Sequence, residues 1–289
     1  MGYLVAVLAL VLWGLVVIPL KLVRAPGKLG VLISMPVAAL VMCIISLATG
    51  TLSFPHASAA DWLLIAFTGV CQFPLASFTY YEAVKLAGVT VTTPLTRLTP
   101  ILVVLVSVIL GFSVVTPMLV VATVVFLAGA ALIALGIWRH HLEGIRFPVK
   151  AGLFYALIAC VAWAAGNLLV SRVSPSIPRS IVTLYALLFG IAVHVSVMGV
   201  LGELPALRQM SRRDVLLFAS HGTVSFAFGY WALFEAIQLL GVSRASVIAG
   251  TWPAVSVWVG VLLFREPMNV LKVLGTVLLI ASAVLAGFA

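Results

Sequence analysis

The second half of this 289-residue chain repeats the first. Matched positions run from the first quarter of the chain towards its C-terminus: Asp61 with Asp214, Gly69 with Gly222, Phe73 with Phe226, Glu82 with Glu235, Gly88 with Gly241, Pro100 with Pro253 and Thr123 with Thr276. Closer to the N-terminus, a slightly shorter offset matches Trp13 with Trp163. A duplicated sequence is expected to use one structural unit twice, so an architecture inferred for one half also applies to the other.

Long apolar runs fill both copies. Each half carries five of them, at 2–22, 29–50, 61–86, 90–111 and 115–138, and then at 150–172, 179–201, 213–240, 244–264 and 268–287. Hydrophobic residues make up 64% of the chain and charged residues only 8%, whereas soluble domains carry about 25% charged residues. Continuous runs of about 20 apolar residues predict helices that cross a bilayer. Because the runs do not alternate between polar and apolar residues, they exclude a transmembrane barrel.

Five is an odd number, so the second copy is expected to enter the membrane from the opposite side. The sequence therefore predicts an all-α membrane protein with ten transmembrane helices, arranged as two inverted five-helix repeats around a central cavity. The repeats would occupy residues 1–138 and 150–289, with a loop at 139–149 between them. The first run begins at Met1 without a basic leading segment or a clear cleavage site, which favours a retained helix over a signal peptide.

The net charge of +9 indicates topology rather than nucleic-acid binding, because the basic residues are scattered singly at the ends of the runs. Most of them follow the odd-numbered runs: Lys21, Arg24, Lys28, Lys85, Arg139, Arg146, Lys150, Arg208, Arg212, Arg213, Arg265 and Lys272. The other side holds only Arg172, Arg179 and Arg244. The positive-inside rule then predicts that both termini lie on the outer side of a bacterial inner membrane.

Polar side chains inside a membrane span are costly, so each requires an explanation. His221 and Ser225 lie four residues apart and share a helix face, as do Trp163 and Asn167. Such stripes are expected to converge on one polar cavity with aromatic walls, which suits an amphipathic solute of amino-acid size. The candidate substrate-binding residues are Gln72, Thr79, Tyr80, Tyr81, Arg97, Trp163, Asn167, His221, Ser225, Tyr230 and Trp252. Three other tryptophans, Trp13, Trp62 and Trp138, lie nearer the ends of their runs and fit interfacial aromatic belts.

Several of these residues also admit a structural role. Arg97 fits a substrate carboxylate, but it equally fits an ion pair with Glu82 or a side chain that reaches the interface. His221 could titrate near neutral pH, yet a lone histidine inside a membrane also fits hydrogen-bonded packing. Glu82 and Glu235 occupy matching positions near the ends of their runs, which favours structural roles over proton coupling.

Pro100 and Pro253 form a more specific pair. A proline inside a helix removes one backbone hydrogen bond and bends the helix. The same bend at the same place in both copies predicts a pair of gating hinges, with a purely structural bend as the alternative.

The second copy contains a series of residues that resembles the EamA-type drug/metabolite transporters. It reads Tyr230-Trp231-Ala232-Leu233, then Pro253, then Arg265-Glu266-Pro267, and the first copy matches through Tyr81-Glu82-Ala83-Val84 and Pro100. The first copy departs at Gly111-Phe112-Ser113, where the family has an acidic residue. The resemblance covers nearly the whole chain, and within the family it is nearest to the YddG-like exporters of aromatic amino acids and methyl viologen. It implies a ten-helix fold with a central cavity and the export of small metabolites.

The predicted function is secondary transport that exports amino acids and related small metabolites, including aromatic amino acids or cationic toxic compounds, by alternating access. The expected partners are a small-molecule substrate and membrane lipid, with no cofactor, no nucleic acid and a monomeric state. A channel or a lipid flippase or scramblase is the alternative. An intramembrane enzyme is disfavoured because the sequence holds no H-E-x-x-H, no G-x-S-x-G and no pair of membrane aspartates. Cys43, Cys71 and Cys160 show no C-x-x-C spacing and fit small packing residues.

Overall fold

The computed structural model describes residues 1–52, 57–88, 92, 95–138 and 149–289. Within these residues all regular secondary structure is helical. Residues 139–148 of the expected inter-repeat loop 139–149 lie outside the described residues. So do residues 90, 91, 93 and 94 at the beginning of the predicted fourth span.

The helices follow the predicted spans closely. They are α1 (Gly2–Leu15 and Val17–Leu22), α2 (Gly27–Ala48), α3 (Ala59–Val70, Cys71–Leu75 and Ala76–Ala87), α4 (Thr99–Ile109), α5 (Pro117–Trp138), α6 (Val149–Val170), α7 (Arg179–Val200), α8 (Arg212–His221, Gly222–Gly229 and Tyr230–Leu240), α9 (Val242–Gly250 and Pro253–Phe264) and α10 (Val270–Gly287). Over the described part of the chain, nine of these helices are long and apolar enough to cross a membrane. The exception is α4, whose described helix has 11 residues.

The outer surface of the bundle is apolar. Leu216 is 70% exposed, Leu262 is 72% exposed and Val124 is 61% exposed. Monomeric soluble proteins do not normally expose large continuous apolar patches, whereas these side chains suit contact with lipid tails. The prediction of a helical membrane protein is confirmed at this level.

Matching signals begin and end the third helix of each copy. Ser58 accepts a hydrogen bond from the Asp61 backbone N–H at 3.0 Å, and Ser211 accepts one from Asp214 at the same distance. Both are N-caps that satisfy an otherwise unpaired donor. At the other end, α8 stops at Gly241, which has a φ of 82°. Glycine tolerates this left-handed conformation, so α8 turns directly into α9.

Helices from the two halves pack against each other in matching pairs. Extensive contacts join α3 to α6 and α1 to α8, and further contacts join α2 to α7 and α5 to α10. Phe73 packs edge-to-face on Phe226, its own counterpart in the repeat, with ring centroids 5.3 Å apart. Small residues allow the closest approach, since a Cβ added to Gly129 would lie 2.9 Å from the Gly275 carbonyl oxygen.

Two aspartates tie each half of the chain to a connection in the other half. Asp61 Oδ1 accepts a hydrogen bond from the Ser174 backbone N–H at 2.8 Å. Its counterpart, Asp214, accepts one from the Arg24 backbone N–H at 3.0 Å. The two contacts are therefore reciprocal, because Arg24 and Ser174 follow the first helix of their respective copies.

Candidate functional site

A cavity of about 170 Å³ lies in the middle of the bundle. Six helices line it: α1, α3 and α6, the residues just before and at the start of α4, and the central parts of α8 and α9. We call it the inner cavity. Each half of the sequence contributes three of these helices, so the cavity lies between the two copies.

Both long helices at the inner cavity contain a stretch of π-helix. These stretches, Cys71–Leu75 in α3 and Gly222–Gly229 in α8, cover matching positions of the repeat. A π-helical turn contains an extra residue and changes the direction in which nearby side chains point, and such turns are frequent at functional sites. Gln72 and Ser225, which line the cavity, belong to these turns.

The helices of Pro100 and Pro253 are each interrupted by a short turn just before the proline. Residues 251–252 form a turn, and Pro253 begins a new helical segment. In the same way, Arg97 and Leu98 form a turn before the segment that contains Pro100 near its start. Proline suits the first turn of a helix because the backbone N–H that it lacks would be unpaired there. Each proline therefore follows an equivalent turn between two helical segments, and its role as a hinge stays a prediction.

Aromatic rings form the walls of the inner cavity. Trp13 packs edge-to-face on Tyr230 with centroids 5.2 Å apart, and Tyr80 packs on Trp163 at 5.6 Å. The guanidinium carbon of Arg97 lies 4.2 Å from the centroid of a Trp252 ring. This stacked geometry keeps a positive charge in a largely aromatic surrounding.

A short polar chain crosses the inner cavity. Gln72 Nε2 donates to Asn167 Oδ1 at 2.6 Å, and Asn167 Nδ2 donates to Ser246 Oγ at 3.4 Å. These bonds join α3, α6 and α9. Gln72 is only 1% exposed, and its Oε1 accepts no hydrogen bond from the described residues. A buried acceptor of this kind is costly unless a ligand or water supplies a donor.

His221 also lines the inner cavity, and its ring forms a hydrogen bond with Ser34. His221 Nδ1 lies 3.1 Å from Ser34 Oγ, and the Ser34 hydroxyl donates to the Phe218 carbonyl at 2.8 Å. Because Ser34 uses its hydrogen for Phe218, the His221 Nδ1–H is the donor in the other contact. Glu82 and Glu235 are not among the described residues that line this cavity, and Glu82 lies 3.7 Å from Lys85.

All of the candidate substrate-binding residues except Thr79 line the inner cavity. The Thr79 hydroxyl instead donates to the Leu75 carbonyl of its own helix at 2.7 Å. Sequence reasoning left several lining residues out of the set: Trp13, Ser77, Thr96, Thr99, Phe226 and Ser246. For Trp13 the belt interpretation is wrong, and its match with Trp163 in the repeat was the signal that could have identified it.

A larger cavity of about 670 Å³ adjoins the inner one and shares Trp13, Tyr80, Tyr81, Arg97 and Trp252 with it. We call it the wide cavity. It is lined by the C-terminal parts of α1, α3, α5 and α9 and by the N-terminal parts of α8 and α10. Lys21 and Glu266, which form an ion pair, and Lys272 contribute its charged groups besides Arg97.

At the opposite end of the bundle, polar contacts join α7 to α8 within the second half, and others join the second half to the first. Arg179 Nε donates to Gln238 Oε1 at 2.6 Å, and Gln238 Nε2 donates to the Pro175 carbonyl at 3.1 Å. Nearby, Ser243 bonds to Ser107 at 2.7 Å and to Ser113 at 2.9 Å. We call this region the Arg179 end. Arg179 is buried, with 4% of its surface exposed.

Comparisons with known proteins agree with this architecture. A solved structure titled "Crystal structure of protein" has a TM-score of 0.80 and 21% sequence identity, and the match covers 99% of this chain and 96% of that one. At this identity the likeness concerns the fold alone. The comparison with curated proteins gives no match.

The sequence profile of the EamA-like transporter family matches residues 1–135 and 150–288, once for each copy. Its members are membrane transporters rather than enzymes, and this integral membrane protein belongs to the EamA-like transporter family.

Proposed function

We propose that the protein is a secondary transporter that exports amino acids and related small metabolites by alternating access. The observation that carries this proposal is the inner cavity, which both halves of the chain line and which joins a wide cavity towards one end of the bundle. The polar contacts at the Arg179 end support a closed gate on the opposite side.

The finer architecture belongs to the same proposal. We infer ten membrane helices, with α4 and the residues before it as the fourth span, in two inverted repeats. The reciprocal bonds of Asp61 and Asp214 support a two-fold relation between the copies. Broken helices beside a central cavity recur in transporters built from inverted repeats. Pro100 and Pro253 would act as hinges at these breaks.

The distribution of basic residues supports one orientation of the protein in the membrane. The wide cavity lies at the end that carries Lys21, Lys28 and Lys85, and this end is cytoplasmic by the positive-inside rule. Both termini would then be on the outer side of a bacterial inner membrane. A monomer that loads its substrate from the cytoplasm through the wide cavity fits an exporter, as the likeness to YddG-like exporters also suggests.

Transport by the purified protein in liposomes tests the proposal. Labelled phenylalanine and leucine should exchange against unlabelled amino acid, with a rate that saturates and is inhibited by competing substrates. A rate that rises linearly with concentration would favour a channel. Absence of exchange for a broad set of amino acids and cations, with folded protein, would contradict the proposal. A pH gradient across the membrane separates proton-coupled transport from facilitated diffusion.

A further inference from the structure

The two cavities share a positive electrostatic character. Arg97 lines both, while Lys21 and Lys272 line the wide cavity. Among the described lining residues, Glu266 is the one carboxylate, and Lys21 forms an ion pair with it. The pathway therefore keeps an excess of positive charge along its length. Fixed charges of one sign in a cleft attract solutes of the opposite sign.

The aromatic walls might be expected to attract cations instead, because the face of a tryptophan ring binds positive groups. In this protein the Trp252 face is already occupied, since the Arg97 guanidinium lies 4.2 Å from the centroid of its ring. A cationic solute entering the inner cavity would therefore meet a resident like charge in a partly desolvated site, where repulsion is strong.

The backbone near Arg97 adds to this preference. The segment Thr99–Ile109 begins directly after the turn that contains Arg97, and its first residues, Thr99 and Pro100, line the inner cavity. The N-terminal end of a helix carries a partial positive charge. Gln72 provides the complement, because it lines the same cavity and its buried Oε1 lacks a donor among the described residues. It could accept a hydrogen bond from an ammonium group that accompanies a carboxylate.

Resting on the proposed transport function, we infer that Arg97 selects solutes that carry a carboxylate. The guanidinium binds the carboxylate through its planar fork, and Gln72 accepts a hydrogen bond from the amino group where one is present. Zwitterions and organic anions are accepted, and solutes whose only charge is positive are rejected. This separates two groups of solutes, amino acids and cationic toxic compounds, that aromatic walls alone would treat alike.

Two matched series of ligands test this charge rule. The first is phenylalanine, hydrocinnamate and phenethylamine; the second is leucine, isocaproate and isoamylamine. Within a series the apolar group stays the same while the carboxylate or the amine is removed. Binding is measured by the shift in unfolding temperature of the purified protein, and transport by competition with the labelled amino acid. The amines should bind at least about tenfold more weakly than the amino acids and the acids.

Variants then locate the discriminating group. Arg97→Gln should bring the amine and the acid within about threefold of each other. Arg97→Lys keeps the charge but loses the planar fork, so it should keep the preference for the acid over the amine while both the acid and the amino acid bind more weakly. Arg172→Gln is the matched control, since Arg172 also stacks on a ring, that of Phe112 at 4.7 Å, but lines neither cavity. It should leave the preference unchanged.

The outcomes separate this inference from the transport proposal. Amines that bind as tightly as the acids, or a preference that survives Arg97→Gln, would overturn the charge rule even if transport occurs. Preferential binding of the acids without flux would support the charge rule and count against transport. If no member of either series binds or crosses the membrane, both ideas fail.

Discussion

Gln72 makes the most informative single contact in the inner cavity, because its amide nitrogen joins α3 to Asn167 and its buried oxygen accepts no hydrogen bond from the described residues. Replacement by leucine keeps a similar volume but removes both functions. We expect Gln72→Leu to weaken apparent substrate affinity about tenfold. We also expect a loss of about 1–3 kcal/mol of stability, because Asn167 Oδ1 loses its donor. The Michaelis constant for exchange and the free energy of unfolding in detergent measure the two effects.

Thr79 supplies the control for this change. It is buried in the same helix, but its hydroxyl donates to the Leu75 carbonyl rather than to a group from another helix. Thr79→Val should leave substrate affinity unchanged. An equal loss of affinity in the two variants would show that the effect comes from α3 in general and not from the cavity.

Individual residues also show how far sequence patterns can identify a site. Trp163 and Asn167 could be placed together because a four-residue spacing fixes a helix face. In an uninterrupted α-helix Thr79 would share a face with Gln72, seven residues earlier, but the π-helical turn at Cys71–Leu75 shifts the register between them. No residue type marks a π-helical turn, so the spacing argument fails beyond it.

Close helix contacts lead to a prediction about α3. A Cβ added to Gly69 would lie 2.1 Å from the Ala186 carbonyl oxygen, so the α3 and α7 backbones would have to separate. Gly69→Ala should therefore destabilise the protein by about 1–3 kcal/mol. Gly199→Ala in α7 is the control, because the nearest atom to its new Cβ would be 3.6 Å away. Thermal unfolding that is unchanged by Gly69→Ala would contradict the packing described above.

The break in α9 leads to a second prediction at this scale. Pro253→Ala restores a backbone N–H, which favours a continuous helix across Thr251 and Trp252. If the break serves as a hinge, the maximal rate of exchange should fall several-fold while substrate binding, measured without transport, changes little.

Pro36→Ala is the comparison for this hinge, since Pro36 lies inside α2 and lines neither cavity. It should leave the rate of exchange unchanged. A Pro253→Ala variant with the normal maximal rate would show that the break has a structural role only.

The membrane spans themselves were predictable because lipid requires an uninterrupted apolar run for every crossing. Nine of the ten predicted runs correspond to long helices in the described residues. The sequence did not indicate which form the interruptions inside these helices would take. Pro253 indicated a disturbance, but a bend and a break leave the same sequence signal, and only the turn at residues 251–252 distinguishes them.

For the whole molecule, the polar contacts at the Arg179 end predict a gate that can be weakened. Hydrogen bonds to a charged group contribute about 1.5–3 kcal/mol, so Arg179→Gln should favour opening at this end by about tenfold or more. The reporter is Ser246→Cys, which lines the inner cavity, in a chain whose native cysteines are replaced by serine. A membrane-impermeant thiol reagent added from the Arg179 side should label it faster.

Arg172→Gln serves as the control for the gate, because Arg172 is exposed at the same end and contacts Phe112 instead of Gln238. It should not change the labelling rate. Equal labelling rates in all three proteins would mean that the Arg179 contacts do not hold this end closed. Which end is closed was not predictable, because the two copies carry similar patterns and the choice depends on which set of contacts forms.

The paired bonds of Asp61 and Asp214 bear on how such a chain could have arisen. Each carboxylate accepts a hydrogen bond from a backbone N–H of the other copy, and reciprocal contacts of this kind also occur between the subunits of symmetric dimers. With the inverted arrangement proposed above, a five-helix ancestor able to insert in both orientations would have formed this contact twice with a second molecule of itself. Fusion of two such genes would then have fixed one orientation and freed Arg97 and its counterpart Gly250 to diverge.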